Sequence, residues 1–228
     1  MQTLRFNPFN QVHKGLRALL YDTALLLQHT NFSAEEEIAE AVERVRLVNT
    51  LFDHHAHVED SQIFPLLKTY APEIVDDFEF QHQMDHELSK GLEKCLHLFT
   101  ETNSPEQNLW AGNELLQHFN AFLAFNVEHM KKEETIVNAC LWRYFSDEEL
   151  KRKVQEIAAS IPPEENKDFG FWMLRGMATH EIIDWFNEIK LAAPPPVFQA
   201  FCDLADAALP EKQWNNVKEA LQEGAMLA

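Results

Sequence analysis

Two histidine–glutamate pairs four residues apart, His55 with Glu59 and His129 with Glu133, stand in a chain that also carries His82 and His86 four apart and a lone His13 near its start. Imidazole and carboxylate are the side chains that hold borderline and hard metal ions. A four-residue step places both members of a pair on one helix face, about 40° apart, so both can grip one ion. Spacing alone is cheap in a sequence with 11 histidines and 37 acids, and His97 with Glu101 and His180 with Asp184 repeat it by chance. What separates the first set is its placement on apolar stripes.

Those stripes belong to helices whose ends are marked by capping residues. Pro8 opens a first helix running to about His29, and Ser33 with Glu36 reads as a capping box for a second that runs to about Tyr70. Pro72 starts a third, and Ser104 followed by Pro105 starts a fourth across a turn near Asn103. Ser146 with Glu149 opens a fifth, "SIPPEE" ends it, a sixth covers roughly 165 to 190, and "APPP" and "LPEK" set off two short closing helices. Few glycines and no hairpin signals leave an all-α composition. The four long helices, each apolar every three or four residues, predict an up-down four-helix bundle over 1–145. Residues 146–228 form a C-terminal helical extension packed on it, within one compact unit.

The stripes carry polar residues inward. They run through His13, Leu16 and Leu20, through Phe52, His55, Glu59, Ile63 and Leu66, through Phe78, His82, His86 and Ser89, and through Phe122, Asn126, His129, Glu133, Ile136 and Cys140. An ionised carboxylate buried without a partner is costly, and no lysine or arginine lies on these stripes nearby. Metal ions meet that need. Two six-coordinate ions offer about twelve positions, which five imidazoles, two bridging carboxylates and a bridging oxide or hydroxide fill all but one. An open position on a redox metal pair inside a phenylalanine-rich bundle suits reversible binding of a small diatomic ligand.

Other function classes are disfavoured. A net charge of −18 repels phosphate backbones and anionic membrane surfaces, so neither nucleic acid nor membrane is an expected partner. The leucines of the first helix are broken by Arg17 and Asp22, which predicts neither a leader nor a span. Three well-separated cysteines without a C-x-x-C pair exclude a zinc ribbon or RING and predict a reducing, cytoplasmic setting.

A lone histidine on the first helix, then H-x-x-x-E in "HAHVEDSQIFP", H-x-x-x-H in "HQMDH" and H-x-x-x-E in "HMKKEE" together resemble the hemerythrin family. Within it, "HHAHVEDSQIFPLL", "EHMKKEETIVNACLWRYFSDEEL" and "IPPEENKDFGFWMLRGM" look like the hemerythrin modules of plant iron-sensing RING ubiquitin ligases, a likeness reaching to about residue 190. The resemblance implies a bridged di-iron centre in which His82, His86 and His129 serve one iron, His13 and His55 the other, and Glu59 and Glu133 bridge. Glu134 is the alternative last ligand, because some members use a five-residue step. Ligase activity does not carry over, since the zinc-binding cysteines are missing. The expected function is binding of oxygen, another diatomic or iron itself, for sensing, storage or delivery. The message would leave through a protein partner at the apolar, tryptophan-bearing C-terminal helices. A di-iron oxidoreductase acting on peroxide or oxygen is the competing class, and a metal-free helical scaffold a third.

Overall fold

The computed structural model describes residues 5–101 and 104–226, and every regular element among them is helical. The first four long rods are α1 (Asn10–His29), α2 (Glu35–Val58) continuing through a π turn into α3 (Phe64–Leu67), α4 (Pro72–Glu101), and α5 (Pro105–Lys132) continuing through a second π turn into α6 (Asn138–Tyr144). Then come α7 (Asp147–Ser160), α8 (Pro163–Gly176), α9 (Thr179–Ala192), α10 (Pro195–Ala208) and α11 (Glu211–Met226). The helical bundle and the C-terminal helices that follow it are those expected, and none of these helices is long and apolar enough to cross a membrane.

Several predicted caps form and others do not. Ser104 accepts a hydrogen bond from the Gln107 amide at 3.3 Å, and Ser146 and Glu149 close their box reciprocally at 2.8 and 3.3 Å. The turn near Asn103 lies outside the described residues. Ser33 does not cap: α2 starts one residue later, after Ala34, and the Asn31 amide is bonded instead by Glu37 at 2.7 Å. The sixth predicted helix is two, α8 and α9, divided at Met177 and Ala178, where the Ala178 amide donates to Glu181 at 2.9 Å.

The chain resolves into two compact units, one made of Leu19–Ser160 with the residues before Gln11, the other of Gln11–Ala18 with the chain from Ile161 onward. In the first, Phe64, Leu67, Val75, Phe78, Val137, Leu141 and Leu150 form one apolar cluster, closed by the Trp142 indole donating to the Phe6 carbonyl at 2.7 Å. In the second, Ile182, Phe186, Ala205, Trp214, Val217 and Leu221 form another. Gly15 and Gly176 lie within this second unit where a Cβ on either would collide with backbone, of Met173 and of Lys14 respectively, so α1 and α8 meet at glycine. Beside that contact Lys14 pairs with Glu181 at 2.5 Å. Trp172 and Trp214 are core residues, 4% and 5% exposed, and so do not supply the partner surface for which their presence argued.

Both π turns alter the stripes. Over Glu59–Ile63 the Phe64 amide bonds back five residues to the Glu59 carbonyl, and over Glu133–Val137 the Asn138 amide does the same to Glu133. The first is enforced by Pro65, which has no N–H for the Ser61 carbonyl and would clash with it in an unbroken α-helix. In the second, the Thr135 hydroxyl bonds the carbonyls of Lys131 and Lys132 at 2.9 and 3.2 Å, competing with the regular ladder. Each turn holds one extra residue, so the buried face shifts by one beyond it. Leu67, Val137 and Leu141 are buried where the α-helical period predicts Leu66, Ile136 and Cys140.

Candidate metal centre

Six of the seven expected ligands come together. His13, His55, Glu59 and Glu133 present ligand atoms all within 4.8 Å of one another, and Glu59, His82, His129 and Glu133 do the same, every one of them buried. The two groups share both glutamates. Glu133, fully buried, belongs to each, and Glu134 to neither. Each shared glutamate is the first residue of a π turn and follows its histidine by one α-helical turn, with His55 Nε2 3.2 Å from Glu59 and His129 Nε2 3.0 Å from Glu133. π turns concentrate at functional sites because the inserted residue re-aims side chains without breaking the helix. His82 Nε2 lies between the two acids, 3.4 Å from Glu59 and 3.7 Å from Glu133.

His86 is the exception: its side chain is 58% exposed and lies 3.7 Å from Asp53, itself half exposed. The reason is helical phase. Counting from Phe78, a residue seven on returns to within about 20° of the same face, whereas one eight on overshoots by about 80°. Asp85 takes the core position and is 3% exposed, with Asn126 donating to it at 2.6 Å. Burial pushes the Asp85 carboxyl above its ordinary range, only partly offset by that hydrogen bond and by the nearby imidazoles of His129 and His82.

Partners on the far ring nitrogens orient two of the histidines. His82 Nδ1 meets Asp60 at 2.8 Å, and His129 Nδ1 meets the Gln81 side-chain oxygen at 3.2 Å, while Gln81 itself donates to Asp77 at 3.0 Å. Stacking holds the ring planes, His82 on Phe64 and His129 on Phe125. Such outer hydrogen bonds fix which nitrogen faces a metal and raise its basicity. Sequence periodicity misses Asp60 and Gln81 because neither lies on a stripe; their one signal is adjacency, Asp60 next to Glu59 and Gln81 next to His82.

Charge balance refines the sequence argument. Burial works against a charged His82, yet its bonds to Asp60, Glu133 and Glu59 outweigh that and push its pKa up to about 12. Glu133 is correspondingly lowered, although burial and Glu59 raise it, because His129 and His82 face it. Protons on imidazole can therefore supply the positive charge in the metal-free protein. The fit to metal rests instead on the donor set: four imidazole nitrogens and two carboxylates converge on two overlapping positions, and no lysine or arginine is buried among the described residues.

Comparison with known proteins agrees with this geometry. A model of the hemerythrin HHE cation binding domain matches residues 7–141, which hold all six converging side chains. The chain is 25% identical over 190 residues to a zinc finger protein of Arabidopsis thaliana named BRUTUS-like, covering 82% of this chain and 15% of that protein. It is 24% identical to F-box/LRR-repeat protein 5 of Salmo salar, covering 67% and 21%, and 28% identical to the Danio rerio protein of the same name, covering 65% and 21%. The chain thus spans about a fifth or less of the length of these relatives. No solved structure gives a significant match. With its matched span, its helical bundle and its shared-glutamate cluster, this chain belongs to the hemerythrin HHE cation-binding family.

Proposed function

We propose that this chain is a non-haem di-iron protein that binds dioxygen, another small diatomic ligand, or iron itself, for sensing, storage or delivery. One observation carries the reading: two ligand groups overlap through Glu59 and Glu133, the arrangement that two carboxylates bridging a pair of ions require. His13 and His55 would complete one iron and His82 and His129 the other. Two irons would supply reversible electron exchange with the bound ligand. The residues of the chain hold the ions, and Asp60 and Gln81 orient two of the imidazoles toward them.

With His86 outside the set, the protein offers four imidazole nitrogens rather than five. Two six-coordinate ions held by these residues and a bridging oxide or hydroxide would leave two positions for an outside ligand rather than one. The same observation favours the oxidoreductase reading more than five imidazoles would, because two open positions also suit peroxide. If the chain is a sensor, its output leaves through a protein partner at the C-terminal helices, where Leu191 is 89% exposed and Val197 44%.

Elemental analysis with a visible spectrum taken with and without air tests the reading on one preparation. It expects about two irons per chain, as the two groups require, and absorption bands that appear with air and bleach under vacuum. Zinc at full occupancy, or no metal, refutes it. Steady-state consumption of peroxide without a reversible spectral change assigns the centre to turnover instead.

A further inference from the structure

Next to the metal centre the bundle interior has a polar seam that ligand binding does not use. On α4, Asp85 and Ser89 follow His82 along the buried face, each 3% exposed, and the next residue in the series, Glu93, is at the surface. On α5, Asn126 lies one turn before His129, 2% exposed, and donates to Asp85 at 2.6 Å. On α2, Asn49 is 5% exposed and its amide donates to surface Glu93 at 2.8 Å and to the Ser89 carbonyl at 3.4 Å. Residues three and four apart on a helix are neighbours, so the groups run in sequence from solvent at Glu93, past Asn49 and Ser89, to Asp85 with Asn126 and then the layer of His82 and His129.

Outside the ligand layer, two atoms of this series are unsatisfied: the Ser89 hydroxyl and the Asn49 side-chain carbonyl are buried and bonded to no protein group. Leaving such atoms bare is costly, and native proteins meet the cost with ordered water. Apolar residues at both positions would have sealed the core, as Phe52, Leu92, Phe119 and Phe122 seal the bundle elsewhere. A register-fixing polar pair would need Asp85 and Asn126 only; it gives no reason for an unbonded hydroxyl one turn farther out or for an amide tied to a surface carboxylate.

We propose that Glu93, Asn49, Ser89, Asp85 and Asn126 form a hydrated track that carries protons between solvent and the buried metal centre. The proposal rests on the metal-binding reading above. A centre walled by phenylalanine cannot change its charge by electron transfer unless protons follow, because the uncompensated charge would sit in low dielectric. Hydroxyl, carboxyl and water each both donate and accept, as a relay must; the asparagines hold the file in place.

The metal-loaded, reduced protein provides the test. Two molecules of ferricyanide each take one electron from the ion pair, and the protons lost to offset the charge reach weakly buffered solvent, where an indicator dye follows them by stopped flow. Proton release is expected to keep pace with oxidation in the wild type, to slow about a hundredfold in Ser89→Ala at unchanged metal content, and to recover in Ser89→Thr, which keeps the hydroxyl. A crystal structure is expected to show water on the Ser89 hydroxyl and the Asn49 carbonyl oxygen. Release at the wild-type rate in Ser89→Ala, or a dry Ser89, overturns the track. A centre loaded only with zinc refutes the di-iron reading instead, and the track is then decided by the water at Ser89.

Discussion

The interior of the first 145 residues and that of the helices from Ile161 onward are built to different rules. Between His13 and Asn138 the described chain buries thirteen polar or charged residues, among them four histidines, two glutamates and an aspartate; from Ile161 onward, among the residues whose burial is described, every buried one that is not glycine is hydrophobic. The C-terminal core is Ile182, Phe186, Ala205, Trp214 and Val217, with aromatic rings meeting edge to face, Phe186 against Phe198 and Trp185 against Phe201. Such a core is stabilised by burial and packing, which need no ion. The bundle interior gives up part of that stabilisation to hold a cluster of imidazoles and carboxylates, where protons on imidazole and bound cations would compete for the same positions. The difference teaches where binding energy and folding energy are shared and where they are not.

The sharpest way to break the comparison is Glu133→Ala. It removes a side chain common to both ligand groups, so both ions are expected to be lost, with metal content per chain falling to near zero in elemental analysis. Retention of one ion would show that the two positions are independent. Phe186→Ala is the counterpart in the other interior: truncating a fully buried ring is expected to cost about 3–5 kcal/mol in chemical denaturation. Metal content at saturation should be unchanged, and a fall in it would erase the distinction between the two regions.

Metal uptake should depend on pH because His82 must lose a proton to bind. Its folded pKa lies above the ordinary histidine value, at about 12, so the metal-free protein holds this proton across the neutral range. Apparent affinity is then expected to rise about tenfold per pH unit for that one proton, measured by competition with a chelator between pH 6 and 8. The sign for stability is opposite. The proton's contribution to the metal-free fold is fully present below about pH 6.5 and is lost as pH rises through about 12. A flat affinity profile would mean that His82 is not displaced.

Asp60→Asn replaces the carboxylate behind His82 with an amide like the one Gln81 sets behind His129. Metal affinity is expected to fall about 10–100-fold while the fold persists. Equal affinity would make Asp60 a surface residue that happens to be near. His86→Ala is expected to do least, leaving metal content intact and stability within about 0.5 kcal/mol of the parent, since its side chain is mostly exposed.

How much was legible varied with distance from a helix irregularity. Stripes through the regular parts of α1, α2 and α5 bring His13, His55 and His129 inward, and the first residue of each π turn, Glu59 or Glu133, still keeps the same face. Beyond each π turn the reading slips by one residue, as at Cys140 and Leu141, because a constant period cannot register an inserted residue. On α4 the error was of phase: after His82, a histidine four residues on looked like the next ligand, and the aspartate three residues on was the one facing inward. The split between α8 and α9 falls at Met177 and Ala178, where the Ala178 amide donates to Glu181 and opens a new helix; no proline marks that break in the sequence.

Local pattern was enough to establish an all-helical chain and which residue types interrupt its apolar faces, since helical period, caps and burial preference act over a few residues at a time. Only the tertiary structure decided that six of those side chains converge while His86 faces outward, and that Asp60 and Gln81 stand behind the rings. Those outcomes depend on the rotation of each helix about its own axis, where one inserted residue or a fraction of a turn changes which atom faces a neighbour from a distant part of the chain.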